Sequence, residues 1–437
     1  MKRLSTTLKV RLISNFLQLI ITTAFIPFIA LYLTDMLSQS IVGIYLVGLV
    51  VLKFPLSIIS GYLIEIFPKK LLVLIYQATM VIMLVFMGVF GSHQLWQIIG
   101  FCVAYAIFTI VWGLQFPVMD TLIMDAITED VEHYIYKISY WMTNLSVAIG
   151  ALLGGLMYGY SMLLLFLIAA CIFLIVLFIL YIWLPQDRNQ VKQSDDKRHA
   201  SRYQKLQIMN IFRSYKLVLK DRNYMLLISG FSIIMMGEFS ISSYIAIRLK
   251  DQFETISIGS YDITGAKMLA ILLMINTVVV ILLTYSISKV VLKIDFKKAL
   301  ITGLLIYIVG YSGLTYLNQF GLLVVFMIIA TVGEIIYSPI VSEQRFKIIP
   351  KAKRGTYSAV NALGIHFSET LARLGIVLGV FLTSLQMGLY MFIVLTIGAS
   401  MLVAGVFGGT KTSEYKLNLF KYLFYASFYM ENLLIWS

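Results

Sequence analysis

Twelve apolar stretches, most of them long enough to cross about 30 Å of hydrocarbon, alternate with polar segments along this chain. The pattern predicts helices near Val10–Thr34, Ser40–Glu65, Leu71–Phe90, Leu95–Met119, Tyr136–Tyr160 and Ser161–Leu184. A second set follows near Asn223–Arg248, Ala266–Lys289, Ala299–Leu317, Phe320–Val341, Tyr357–Ser384 and Met387–Gly409. The boundary at Tyr160/Ser161 rests on length alone, because an apolar run of about fifty residues is two spans. The fold class expected is an all-α membrane protein of twelve transmembrane helices in two pseudo-symmetric six-helix bundles.

The polar segments carry the orientation. Of 34 Lys and Arg, all but Lys53, Arg248, Lys250, Lys267 and Arg373 fall in the amino tail, the even-to-odd loops and the carboxyl tail. Basic residues resist translocation, so both termini are expected in the cytoplasm. Lys2, Arg3, Lys9 and Arg11 precede an apolar run too long for a signal-peptide core, and no small-x-small cleavage site follows. That run is kept as the first span.

The longest hydrophilic stretch, rich in Lys and Arg, divides the chain into 1–184, a cytoplasmic linker at 185–222, a second bundle at 223–410 and a tail at 411–437. Leu206, Ile208, Ile211, Phe212, Tyr215 and Leu219 have helical spacing, which predicts a linker helix lying along the membrane surface. In the tail, Leu417, Phe420, Phe424 and Phe428 share one helical face, while Lys421 and Glu431 interrupt it. An interfacial helix is expected there rather than a thirteenth span. The halves also match in detail. Gln115-Phe-Pro117-Val precedes a loop, Tyr136 and Asn144, just as Tyr337-Ser-Pro339-Ile precedes a loop, Tyr357 and Asn361. Duplicated bundles of this kind bind substrate near mid-membrane and rock around it.

Composition agrees, with 60% hydrophobic and 13% charged residues and mean hydropathy +0.90. The net charge of +13 is a topology signal. Its scatter over seven cytoplasmic segments argues against nucleic-acid binding, which needs charge on one folded face. Cys102 and Cys171 lack metal-ligand spacing and read as two buried free thiols. The chain has no phosphate-binding G-x-x-x-x-G-K-[ST] loop; Gly408-Gly-Thr-Lys-Thr lacks its spacing. No zinc cluster or nucleophile elbow occurs either. An enzyme, a cofactor and a metal site are all unsupported, which leaves a secondary transporter powered by an ion gradient.

Such a transporter needs ionisable groups inside the membrane, where a charge costs about 2.5–3.5 kcal/mol on insertion scales. Glu238 falls mid-way along the seventh helix, followed by Ser240, Ser242 and Ser243. Glu334 lies in Gly333-Glu-Ile-Ile-Tyr-Ser-Pro339 on the tenth, with no cation beside it in sequence. A carboxyl removed from water favours its neutral form and can exchange a proton as its surroundings change. The plainer reading is a carboxylate tied to another helix. Glu369 and Arg373 stand four apart on the eleventh helix, so a self-neutralising intrahelical pair is expected. Lys53 has no partner at helical spacing and is left to contact a carboxylate across the bundle, to line a cavity or to snorkel. Lys53, Asn144, Trp141, Glu369 and Arg373 are the candidate cavity residues. Tyr32, Trp112 and Tyr244 are further candidate aromatics, and His366 reads as a packing residue.

The segment Gly61-Tyr-Leu-Ile-Glu65-Ile-Phe-Pro-Lys69-Lys70 resembles the loop signature of the major facilitator superfamily, G-x-L-a-D-r-x-G-r-k/r. Ile66 replaces its first Arg and Pro68 its second Gly. Ile123-Met-Asp125-Ala, Ser139-Tyr-Trp-Met-Thr-Asn144, Tyr261-Asp-Ile-Thr-Gly-Ala-Lys267 and Gly333-Glu334-Ile-Ile-Tyr-Ser-Pro339 are similar to multidrug/proton antiporters of that superfamily. The resemblance covers roughly residues 8–410 outside the linker. It implies a cytoplasmic gate at Gly61, Glu65, Lys69 and Lys70, with Asp125 as a gate partner. It also implies proton coupling and substrate binding at Asp125 and Glu334, with Glu238 matching more loosely. Ser139 stands where a family carboxylate is usual. Gly150-Ala-Leu-Leu-Gly154-Gly155 keeps the antiporter glycines, with Ala151 in place of Pro.

Together these readings lead us to expect proton-coupled export of amphipathic small molecules across the plasma membrane of a bacterium. The expected partners are the lipid bilayer, a small-molecule substrate and protons, and the expected state is a monomer. The alternatives are a dedicated carrier of one metabolite, metallophore, peptide or lipid-linked precursor, and a non-transporting sensor or assembly protein.

Overall fold

In lipid, only a helix or a closed barrel satisfies every backbone N–H and C=O, so each apolar stretch is driven to become helix. The computed structural model describes residues 4–90, 94–126, 129–185, 218–258, 261–291, 293–349 and 354–408. Most of the linker and the aromatic tail, with their expected surface helices, lie outside the described residues. The first half comprises α1 (Thr6–Thr34), α2 (Gln39–Ile66), α3 (Lys69–Val89), α4 (Leu95–Ala126), α5 (Glu129–Tyr160) and α6 (Met162–Trp183). The second comprises α7 (Arg222–Gln252), α8 (Gly265–Val291), α9 (Phe296–Tyr316), α10 (Phe320–Ile348), α11 (Arg354–Leu378) and α12 (Ser384–Phe407). A small antiparallel hairpin, β1 (Ile256–Ile258) and β2 (Tyr261–Ile263), joins α7 to α8.

Local chemistry explains several boundaries. The apolar run across Tyr160/Ser161 breaks because the Ser161 hydroxyl accepts the Leu164 N–H at 3.2 Å and caps α6. Helices α4 and α5 each reach 32 residues, further than their apolar windows predict. Their polar continuations project beyond the hydrocarbon, where hydropathy no longer reports helix.

Eleven of these helices are long and apolar enough to cross a membrane, and α11 is the exception. The twelve expected helices are all present, and among the described residues α11 alone falls short on hydropathy. His366, Ser368, Glu369 and Arg373 are all buried on α11 against other helices, while Phe367 and Leu374 face outward. Its low hydropathy therefore comes from a polar face that lipid never meets. The cysteines also differ from expectation. Both are free thiols, but Cys102 is half-buried and Cys171 is exposed on the outer surface of α6.

The packing repeats with an offset of six helices. In the first half α1 packs on α5 and α6, α3 on α4 and α6, and α2 on α4. In the second, α7 packs on α11 and α12, α9 on α10 and α12, and α8 on α10. The halves meet along α2–α11 and α5–α8, two contacts that exchange under the same offset. Pseudo-twofold symmetry thus follows from helix contacts alone.

Both leading helices are broken at corresponding depths. In α1 a tight 3-10 turn at Ile26–Phe28 contains Pro27, which has no N–H to continue the α-helical ladder. In α7 a π-helical turn at Ile241–Ile245 carries non-helical backbone at Ser243. The hydroxyls of Ser240 and Ser243 bond the carbonyls of Met236 and Phe239 at 2.7 and 2.8 Å, which keeps the break satisfied.

The side opposite the amino terminus is sealed between the halves. Gln39 Nε2 donates to the Ile376 carbonyl at 2.9 Å. Lys250 Nζ donates to the Leu31 carbonyl and the Thr34 hydroxyl, each at 3.1 Å, and pairs with Asp35. Tyr158 holds the other Asp35 oxygen at 2.8 Å. A Cβ on Gly43 would sit 2.7 Å from Val377 Cγ2, and one on Gly155 would collide with the Ala270 methyl. Overpacking such a contact costs about 1–3 kcal/mol, or roughly tenfold in the population of the sealed form. Gly155→Val is therefore expected to raise external maleimide labelling of Leu46→Cys about tenfold, in a background with Cys102 and Cys171 replaced by Ser. An unchanged labelling rate would show that the α5–α8 contact does not hold the seal.

Candidate functional site

Beside the break in α1 lies a narrow cleft with about 30 Å³ of free space, walled by Ile26 of α1, Leu46, Leu49, Val50 and Lys53 of α2, Tyr105, Phe108, Thr109 and Trp112 of α4, and Glu369 and Arg373 of α11. Lys53 and Glu369 lie 316 residues apart, yet Lys53 Nζ donates to both carboxylate oxygens at 2.8 and 3.0 Å. A salt bridge therefore crosses from one half to the other in the middle of the bundle. Arg373 Nη2 stands 3.9 Å from Glu369, beyond hydrogen-bond reach. Its Nη1 instead donates to the Ser242 carbonyl at 2.9 Å, an oxygen presented by the π-turn of α7.

The expected Glu369–Arg373 ion pair is present at 3.9 Å, but Glu369 is shared with Lys53, so the pair does not neutralise itself alone. Helical spacing brings those side chains near, but the bidentate lysine wins because its ammonium reaches both oxygens. All three groups are at least nine-tenths buried, and the cleft holds two cations to one carboxylate.

The other cavity candidates are placed elsewhere. Trp112 lines the cleft and lies parallel to Phe108 at 6.2 Å. Asn144 is buried on α5, Trp141 is half exposed on the same helix, and neither lines the cleft. Tyr32 packs on Phe101 and Phe166 in the first-half core. Tyr244 covers Gly379. His366 packs on Phe54, ring centres 5.5 Å apart.

A second site lies within the carboxyl-terminal half. Glu334 of α10 is 2% exposed, and Asn276 of α8 donates to its Oε2 at 3.4 Å and to the Thr331 hydroxyl at 3.1 Å. Glu238 of α7 is close enough for its charge to act on Glu334. Its own Oε2 is buried and has no hydrogen-bond partner among the described residues. Tyr307, Tyr311 and Tyr337 surround the acids, with ring centres 4.5 and 5.2 Å from Tyr307. Tyr307 donates to the Ile234 carbonyl at 3.0 Å, fixing the cage to α7.

The corresponding crossing in the first half is a knot of three amides. Gln18 Nε2 donates to Gln77 Oε1 at 2.8 Å, Gln115 Nε2 donates to the same oxygen at 2.9 Å, and Gln77 Nε2 donates to the Phe173 carbonyl at 2.9 Å. Gln115 and Tyr337 occupy matching places before Pro117 and Pro339. One crossing is thus neutral and saturated, while its mirror holds acids and phenols with an unpaired oxygen. A buried polar group without a partner is costly and is retained where it does something.

The candidate gate is only partly described. Gly61, Glu65 and Asp125 fall outside the described side chains. Lys69 opens α3, and Lys70 Nζ donates to the carbonyls of Tyr181 and Leu184 at 2.9 and 2.6 Å. Lys70 therefore caps the carboxyl end of α6, where a cation meets unpaired carbonyls and the negative end of the helix dipole. Among the described residues, no cluster of three or more His, Cys, Asp or Glu could hold a metal ion.

A family model described as Major Facilitator Superfamily matches residues 11–372. A Na(+), Li(+), K(+)/H(+) antiporter of Planococcus maritimus is 21% identical over 376 residues, spanning 85% of this chain and 88% of that protein. The crystal structure of the nucleoside transporter NupG superposes with TM-score 0.65 at 13% identity, over 91% of this chain and 99% of that one. A POT family transporter in complex with a thioalcohol-conjugated peptide gives TM-score 0.64 at 15% identity, over 91% and 95%. At such identities the two structures speak for the fold.

Proposed function

This chain belongs to the Major Facilitator Superfamily, and we propose that it exports amphipathic small molecules in exchange for protons. The family and the relatives make it a multi-pass plasma-membrane transporter rather than an enzyme, one that acts on small molecules. Proton coupling is our reading of the site, and the observation that carries it is the acid pair Glu238–Glu334 in a closed tyrosine cage. Two carboxyls in one dry pocket cannot both carry charge cheaply, so a proton held there is exchanged when water or substrate reaches them. The breaks in α1 and α7 supply the flexing points that this exchange requires; the first lines the cleft through Ile26 and the second holds Arg373 through the Ser242 carbonyl. We assign the central cleft to substrate and the acid pair to the proton, with Asp125 as a further acid by resemblance.

One proton crossing 100 mV releases about 2.3 kcal/mol, enough for a gradient on the order of fifty-fold. Everted vesicles carrying the protein are expected to accumulate a fluorescent amphipathic dye when energised, and nigericin plus valinomycin should abolish that accumulation. Accumulation that persists in their presence would refute the proposal. A dedicated carrier of one metabolite or peptide is the second reading, favoured by the excess of cations in the cleft. Competition among many unrelated dyes for uptake into those vesicles would count against it.

A further inference from the structure

We propose that the central cleft recognises its substrate through an anionic group of the carboxylate class, which seats between Lys53 and Arg373 and displaces Glu369 from Lys53. The inference rests on the cleft being the substrate site, as proposed above, and adds the chemistry it selects. The first argument is charge. Among the described residues that line the cleft, Lys53 and Arg373 face one carboxylate in a region nine-tenths buried, so the wall presents more positive than negative charge. Buried charge is normally paired, and a ligand bearing negative charge offsets that excess.

Geometry adds a second argument. Arg373 is anchored from behind by the Ser242 carbonyl at 2.9 Å and lies 3.9 Å from Glu369, so most of its five donors remain available to a ligand. A planar guanidinium matches a carboxylate in bidentate fashion, whereas a cationic ligand would meet two like charges first. Most of the rest of the wall is apolar. Leu46, Leu49, Val50, Phe108 and Trp112 suit a flat hydrophobic body, which the narrow cleft admits once the halves part. Displacement also has a mechanical consequence, because the Lys53–Glu369 bridge spans the two halves. A bound anion loosens that bridge and leaves Glu369 to Arg373, its neighbour one turn away.

Three dyes that share one ring system and differ in charge test this: anionic fluorescein, the carboxylate zwitterion rhodamine 110, and rhodamine 123, its cationic methyl ester. Binding to the purified full chain in detergent is read by fluorescence anisotropy. Fluorescein and rhodamine 110 are expected to bind about tenfold tighter than rhodamine 123, the worth of a charge-assisted hydrogen bond. Arg373→Gln should erase that preference, Arg373→Lys should keep most of it, and Glu369→Gln should tighten fluorescein binding by removing its competitor. Equal or tighter binding of rhodamine 123, binding of none of the three dyes, or an undiminished preference in folded Arg373→Gln would overturn the inference. If Arg373→Gln does not fold, the wild-type ranking alone decides. No proton gradient is present, so failure of proton coupling would leave this ranking intact, and failure of the ranking would leave coupling untouched.

Discussion

Glu334→Gln is expected to bring the energised accumulation ratio from as much as about fifty-fold down to unity, while passive substrate exchange continues. The substitution keeps the volume and the acceptor that Asn276 bonds, so the packing of α8 against α10 should survive. What it removes is the one function Gln cannot perform, carrying a proton. Glu238→Gln should have the same sign and a smaller effect. The buried, unpaired oxygen of Glu238 gives it a lesser stake in the existing hydrogen bonds than Glu334 has through Asn276. Proteoliposomes with an imposed pH gradient and a pH-reporting dye inside separate the two functions. Wild type should couple dye movement to proton movement, and Glu334→Gln should exchange dye with no proton flux. If both variants pump uphill at the wild-type rate, the acid pair is structural and the energy enters elsewhere.

The fold was largely legible because the bilayer leaves the backbone little choice, so length and apolarity place nearly every helix. The exception is instructive. Helix α11 is the least apolar of the set because its His366–Arg373 face is covered by protein, yet its apolar stretch at Tyr357–Ser384 is still long enough to read as a helix. The site was legible only in part. Glu238, Glu334, Lys53, Glu369 and Arg373 stand out because charge is rare in apolar helices. Their partners do not, since pairing between helices leaves no mark in spacing, and the 316 residues between Lys53 and Glu369 carry no signal. Tyr307, Tyr311 and Tyr337 were hidden among 27 tyrosines. The π-turn of α7 did leave a trace in the crowding of Ser240, Ser242 and Ser243. Hydroxyls that bond carbonyls one turn back are what a broken membrane helix uses to stay satisfied.

Glu369→Met should be the most damaging single change in the cleft, at about 3–5 kcal/mol, because it leaves two buried cations with no anion between them. Lys53→Met should cost less. It leaves Glu369 beside Arg373 at i,i+4, and the 3.9 Å gap can close by a change of rotamer. The double change Lys53→Met/Glu369→Met removes both ends of the bridge, leaving Arg373 on the Ser242 carbonyl. It should therefore be more stable than Glu369→Met alone, although it carries one substitution more. That inversion is the mark of a coupled pair, and the interaction energy from the cycle is expected at about 1–3 kcal/mol. Thermal unfolding of the four purified proteins in one detergent measures it. A double variant that melts at the sum of its two single shifts would mean that Lys53 and Glu369 are neighbours without being partners. A confirmed inversion would have a further consequence for transport. The bridge is a contact between halves, so loosening it should also weaken the seal held by Gly43 and Gly155, and Lys53→Met should speed external labelling of Leu46→Cys while leaving the Glu334 pocket untouched.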